Sequence, residues 1–256
     1  MARVSHVALN APSCGNATKA ERAGRQIYAD YPEIRPRTAA VTEFVELYLK
    51  RNRGWPWPED SWGLTPMYGE DGWCRSCGTP LHAQTGSLVL QRRGMARVDG
   101  SWIPNWQFNA VCVGPQLAGI ADRFPELQLL PVQWRGAAPQ GRCLQIVAPT
   151  ATEPWFDEEE LRAAVIARHG SAGNRCAGCG TWRWFPLGFD ALPPLQVDPA
   201  TLANTPLVAG PDWFGDGWNS FHELLVRRDL AELLAAASPR DFRVNEVRWR
   251  PSGGQR

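Results

Sequence analysis

The 256-residue chain has no apolar run approaching the ~18 residues that a membrane-spanning helix needs. It has no surplus of either charge: 27 basic residues are mixed with 26 acidic ones, and the net charge is +1. That balance gives no electrostatic footprint for nucleic acid or for an anionic membrane. Histidine is scarce, with four residues (His6, His82, His169 and His222), none of them in a catalytic motif. No Gly-x-Ser-x-Gly elbow, P-loop or dinucleotide fingerprint is present, so the chain does not read as an enzyme. A secretory signal is missing as well. Residues 1–14 end at Cys14 in a faint lipoprotein pattern, but His6 and Asn10 interrupt the apolar part, and a cytoplasmic protein is expected.

What is present is concentrated in two short phrases, Cys74-Arg-Ser-Cys77-Gly78 and Cys176-Ala-Gly-Cys179-Gly180. Two Cys-x-x-Cys-Gly turns supply four thiolates, the donor set of a tetrahedral zinc site with Zn–S bonds of about 2.3 Å. The trailing glycine suits a turn that bends tightly under the sulfurs, because glycine enters positive φ at little steric cost. Four sulfurs close the coordination shell, so Zn2+ held by Cys74, Cys77, Cys176 and Cys179 would be structural and not catalytic. An odd total of seven cysteines in a chain this long argues against a disulfide framework. Two alternatives stay open: a redox pair in either motif, or two separate turns that share ligands across a dimer. His82 follows Cys77 at knuckle-like spacing, yet Ser87 stands where a fourth ligand belongs, so His82 reads as a surface residue. Cys112 and Cys143 sit in apolar runs and read as buried hydrophobes.

With 44% hydrophobic residues the chain can build a sizeable core, while 22 prolines and 24 glycines imply many turns. Three segments are expected. Residues 1–60 read as a helical extension, with helices over 18–31 and 38–51. The second rests on Val41, Phe44, Val45, Tyr48 and Leu49 at helical spacing. Residues 61–150 and 151–256 read as two diverged halves of one compact body. Phe108-x4-Val113-x3-Leu117-Ala118 is matched by Phe221-x4-Val226-x3-Leu230-Ala231, and Val132-x-Trp134 by Val247-x-Trp249. Each half then runs as knuckle, strand, short helix and returning strand, with parallel pairing expected. A helix from Asp157 to Arg168, acidic in its first turn and stopped by Gly170, leads into the second knuckle. The expected class is α+β, with a zinc-ribbon-like four-cysteine site joining two strand–helix–strand halves.

From about residue 60 to 250 the chain resembles the double-CXXCG proteins of myxobacteria, a group that includes immunity proteins of the swarm-inhibition toxin system. The two Cys-x-x-Cys-Gly motifs and the block from Phe221 through Leu234 carry the resemblance. It implies an intracellular protein that binds a cognate toxin and blocks it. Within the sequence, the loop Gly210–Trp218 is the best candidate contact surface: Asp212 and Asp216 flank Trp213, Phe214 and Trp218, as aromatic anchors ringed by acid would against a basic toxin. The competing reading folds those aromatics into the core and leaves the aspartates to shape turns. Asp99–Trp106 occupies a comparable place in the first half. The alternatives are a zinc ribbon that binds nucleic acid, with Trp182-Arg183-Trp184 as its stacking surface, and, behind it, an uncharacterised enzyme.

Overall fold

The computed structural model describes residues 44–93, 95, 98–202 and 204–250. The expected helix over 18–31 and the N-terminal cysteine lie outside them. Two four-stranded sheets dominate an α+β fold that is mostly strand. In chain order the strands are β1 (Phe44–Leu49), β2 (Trp55–Pro56), β3 (Val89–Gln91), β4 (Ser101–Trp102), β5 (Val111–Val113), β6 (Gln128–Pro131) and β7 (Gln133–Arg135). There follow β8 (Leu144–Val147), β9 (Gly173–Arg175), β10 (Trp182–Trp184), β11 (Leu207–Ala209), β12 (Leu224–Arg227) and β13 (Phe242–Asn245). The α-helices are α1 (Leu64–Tyr68), α2 (Ile120–Arg123), α3 (Glu158–His169) and α4 (Arg228–Ala237).

The predicted helix over 38–51 is corrected: residues 44–49 form β1, and 38–43 lie outside the described residues. In the sheet ordered β11-β12-β1-β13, β1 has a hydrogen-bonded neighbour on each side. Its side chains serve both faces. Phe44 enters one core cluster, whereas Val45, Leu47 and Leu49 alternate into another. A central strand that carries apolar residues on both faces lacks clean alternation, which is how Phe44-Val45 and Tyr48-Leu49 imitate helical spacing. The segment just beyond β1 is tied down as well. Buried Asp241 pairs with both Arg51 and Arg53 at 2.6 Å.

β12 and β13 are each antiparallel to β1, so they run parallel to one another with β1 between them, joined by α4. The other sheet, ordered β4-β5-β8-β6, has the same form: β5 and β6 are each antiparallel to β8. Their connection is the 3-10 turn Pro115–Leu117 followed by α2. The expected parallel direction is therefore present, but an antiparallel strand separates the two partners in both sheets. The return strand of the first sheet is β6, whereas Trp134 lies in β7, which pairs parallel with β3. Trp249, likewise, lies past the end of β13.

The helices follow their sequence signals. Asp157 caps α3 through its carboxylate, accepting from the backbone N–H groups of Glu159 and Glu160 at 3.1 Å, and Gly170 closes it at φ 79°. α4 buries Leu230, Ala231, Leu233 and Leu234 in a core shared with Val111, Val113, Ile120 and Ile146 of the other sheet. Each fully buried leucine there contributes roughly 1.5–3 kcal/mol. One core thus spans both sheets.

Candidate metal centre

The two Cys-x-x-Cys-Gly phrases form the same turn. Gly78 N–H donates to Cys74 O at 2.8 Å, and Gly180 N–H to Cys176 O at 2.8 Å. Both glycines adopt positive φ, 72° and 76°, which is the conformational reason for glycine at these two places. Each turn is closed one residue later by a threonine. Cys74 N–H donates to Thr79 O at 2.8 Å, and Cys176 N–H to Thr181 O at 2.9 Å. The threonine hydroxyls lie 3.1 Å from Cys77 Sγ and 3.3 Å from Cys179 Sγ, where they can donate to a thiolate. Read in full, the repeated phrase is Cys-x-x-Cys-Gly-Thr, and the shared threonine was visible in the sequence.

The fold brings the turns together. Cys74 Sγ lies 3.7 Å from Cys176 Sγ, and Cys77 Sγ 3.7 Å from Cys179 Sγ. All four sulfurs fall within 4.8 Å of one another and could hold a metal ion. A tetrahedral ion with 2.3 Å bonds to sulfur sets its ligands about 3.8 Å apart, so the cluster is dimensioned for that geometry. The turns approach closely at Gly178, where a Cβ would stand 3.3 Å from Cys74 Sγ and 2.7 Å from Ser76 Oγ. The thiols are unlike one another. Burial pushes Cys77 up to about 12, whereas backbone N–H groups of Cys179 and Gly178 hold Cys176 down to about 6.

In the sequence Arg183 stood out only as part of Trp182-Arg183-Trp184. Its side chain is buried, yet among the described residues its guanidinium meets no carboxylate. Nη1 donates to the carbonyls of Gly217 (2.9 Å), Asn219 (3.2 Å) and Cys77 (3.4 Å) and to Ser220 Oγ (3.2 Å). Nη2 donates to Asn174 Oδ1 at 3.1 Å. A buried cation without an ion pair is costly unless a negative charge lies close by. Four thiolates around a divalent ion carry a net charge of −2, so the donor set and its surroundings fit such an ion.

The loop singled out as a contact surface clamps the centre. Trp218 Nε1 donates to Arg75 O at 2.9 Å, and its ring meets Trp73 edge-on at 5.4 Å. Phe214 is a core residue, 1% exposed, which corrects its assignment to a contact surface. Asp212 accepts from Trp184 Nε1, and burial raises its carboxyl above the usual range. Trp213 stacks on His222 at 3.7 Å, and Asp216 alone of the two aspartates is exposed. In the comparable loop Trp102 is fully buried and Trp106 is exposed. Trp184 is a core residue and Trp182 packs against it, edge to face at 5.5 Å. Cys112 and Cys143 are buried, as expected, and His82 is exposed with Nδ1 2.8 Å from Ala83 O.

Beside the first knuckle opens a cleft of about 690 Å³. Its walls come from residues 62–68, 78–84, 106–110 and 145–150, from Gln128 and from the segment 209–222. Two of the four histidines, His82 and His222, stand in it. Burial holds His222 down to about 4, so it is neutral at physiological pH. Ser220 is engaged with Thr79 Oγ1 at 2.7 Å and donates to Cys77 O at 3.0 Å. Among the described residues lining the cleft there is no carboxylate to serve a histidine as acid–base partner. No helix among the described residues is long and apolar enough to cross a membrane. No family model, no curated protein and no solved structure matches the chain.

Proposed function

We propose that the protein is a binding protein stapled by one structural zinc ion and that it acts by contact, without chemistry of its own. Cys74, Cys77, Cys176 and Cys179 would hold the ion in a closed shell with no position for water or substrate. The observation that carries this reading is Arg183: a buried guanidinium without a carboxylate is best explained by a doubly negative zinc–thiolate centre next to it. Zinc would join segments that are 102 residues apart, and its binding energy of about 10–16 kcal/mol in small peptides far exceeds the chain entropy of closing that loop.

The body is further read as a diverged duplication joined at this zinc-ribbon-like centre. Two observations support that reading. Both sheets have the same order of edge strand, strand, antiparallel insert and return strand. The two halves also meet at matched positions, with Phe108 against Phe221 at 5.5 Å and the Asn109 side chain bonded to the His222 backbone at 2.7 and 2.9 Å. In this scheme β1, from the N-terminal side, fills the place that β8 fills in the other half.

The partner implied by the resemblance to the double-CXXCG group is a cognate protein toxin bound in the cytoplasm. Exposed Asp216, with the partly exposed Trp213 and Trp218, remains available for that contact, and the near-neutral charge balance speaks against the nucleic-acid alternative. Two measurements test the reading separately. Elemental mass spectrometry should find about one zinc per chain, lost in Cys74→Ser and in Cys176→Ser; no zinc, or loss in one variant only, overturns the shared centre. Co-expression with a toxin encoded beside its gene should restore growth and yield a complex on co-purification. Growth arrest unrelieved by the protein overturns the immunity reading alone.

A further inference from the structure

The cleft beside the metal centre has a lining that points to its own ligand. Aromatic rings and side-chain amides share it with small and aliphatic residues, and no aspartate, glutamate, lysine, arginine or cysteine is among the described residues that line it. Burial keeps Tyr68 protonated, pushed up to about 12, and His222 neutral. Such a site offers no lysine or arginine to balance a phosphate or a carboxylate, and no carboxylate to balance an ammonium group. Its volume, about 690 Å³, lies within the range of small-molecule sites and is roomy enough for several sugar rings.

The mouth of the cleft carries a second observation. Trp62 and Trp106 are the two non-glycine residues with positive φ among the described residues, at 50° and 64°. For bulky aromatics that backbone is strained, and strain of this kind persists where the surroundings enforce it. Here they do. The Trp62 carbonyl accepts from Gln107 Nε2 at 2.6 Å, and the neighbouring Asn105 is bonded through its side chain to Gly54 O at 2.7 Å. The outcome is a pair of rings 5.1 Å apart, with Trp106 about half exposed. Both tryptophans are thus held in a strained backbone, and Trp106 is left about half open to solvent. A folding role does not account for the exposed Trp106 ring. Elsewhere in the lining the Gln128 and Asn219 side chains make no hydrogen bond within the protein among the described residues, and each offers a donor and an acceptor.

We propose that this cleft is a binding site for a neutral oligosaccharide. A pyranose ring presents an apolar C–H face that suits an indole platform, and equatorial hydroxyls that suit side-chain amides, and it carries no charge. Hydrolysis would need a pair of carboxylates across the glycosidic bond, and the described lining holds none, so the site binds without cleaving. The inference is independent of the toxin reading.

The test uses the full chain as purified. It is screened on an array of neutral glycans, and the best binder is taken to calorimetry beside adenosine and AMP. A neutral glycan should bind saturably. Trp106→Ala should weaken it at least about tenfold, as expected for the loss of one stacking face. Asn219→Ala should weaken it less, while Trp55→Ala, at an exposed ring that does not line the cleft, should leave affinity unchanged. Retained thermal midpoints in all three variants keep the comparison clean. No glycan retained on the array, or affinity indifferent to both Trp106→Ala and Asn219→Ala, overturns the proposal. Adenosine binding with those same losses overturns it too, assigning the cleft to a planar base.

Discussion

In the first knuckle the turn is covered. Trp73 precedes Cys74 and is buried, and Gly78 and Thr79 lie under the loop that ends at Trp218. In the second, Cys176 is buried, but Gly178 and Gly180 are exposed, and exposed Arg175 stands where the first has Trp73. The backbone device is the same and the packing differs. A turn locked by tertiary contacts keeps its shape without help, whereas a turn at the surface depends on what its sulfurs hold. A metal held by the four sulfurs would therefore anchor the second knuckle to the first more than the reverse.

The largest effect should come from removing the ion. Chelation, Cys74→Ser and Cys176→Ser should each strip the metal and destabilise the fold by several kcal/mol, seen as a cooperative fall in thermal midpoint. Hydrogen exchange would resolve the asymmetry: amides of residues 173–184 should lose protection in the stripped protein before those of residues 72–80. Equal loss in both segments would break the comparison. Next in size is Arg183→Met, which removes a buried guanidinium and orphans the carbonyls it serves, at a cost of roughly 2–4 kcal/mol. The corresponding place after the first knuckle is Leu81, which is exposed, and Leu81→Ala should change stability by less than about 0.5 kcal/mol.

A third pair sharpens the contrast within one residue type. Gly78→Ala and Gly180→Ala both put a side chain on a left-handed backbone, which costs about 1–2 kcal/mol. Only at Gly78 would the new Cβ strike backbone, 2.7 Å from the Trp218 carbonyl; at Gly180 it meets open space. Chemical denaturation should place Gly78→Ala at least about 1 kcal/mol below Gly180→Ala. Equal costs would mean that the Trp218 loop yields freely.

What the sequence made legible is what is local. The knuckles, the capped α3 and the apolar face of α4 follow from residues within a turn or two of one another. β1 was misread because a central strand shows no polar face to mark its period. Arg183 was illegible since its partners are mainly backbone carbonyls, which carry no residue signature. The cleft draws its lining from six separate stretches, and nothing in any one of them marks it. Phe214 and Trp218 read alike in the loop, yet one is buried and the other reaches Arg75 O, a difference that only the fold decides.

The smallest expected effect concerns matched positions in the two sheets. In the proposed duplication Phe108-Asn109-Ala110 would correspond to Phe221-His222-Glu223, which sets a carboxyl, Glu223, against a buried alanine, Ala110. Burial, and then the neighbouring Glu46 carboxylate, raises Glu223 to about 8 from an ordinary 4.5. Between those values the folded chain holds a proton that the unfolded chain releases, so this residue makes stability fall as pH rises from about 4.5 to 8. His222 works in the opposite sense over a lower window: burial depresses it from 6.5 to about 4, and its contribution is lost as pH falls through that range. Glu223→Gln should leave stability near pH 4.5 almost unchanged and raise it above pH 8 by about 1–2 kcal/mol, a figure reduced from the full linkage value because the side chain is only part-buried. Urea denaturation of both proteins across that pH range checks the claim. Parallel curves would show that the carboxyl ionises without cost, and that the two sheets tolerate alanine and glutamate alike at this place.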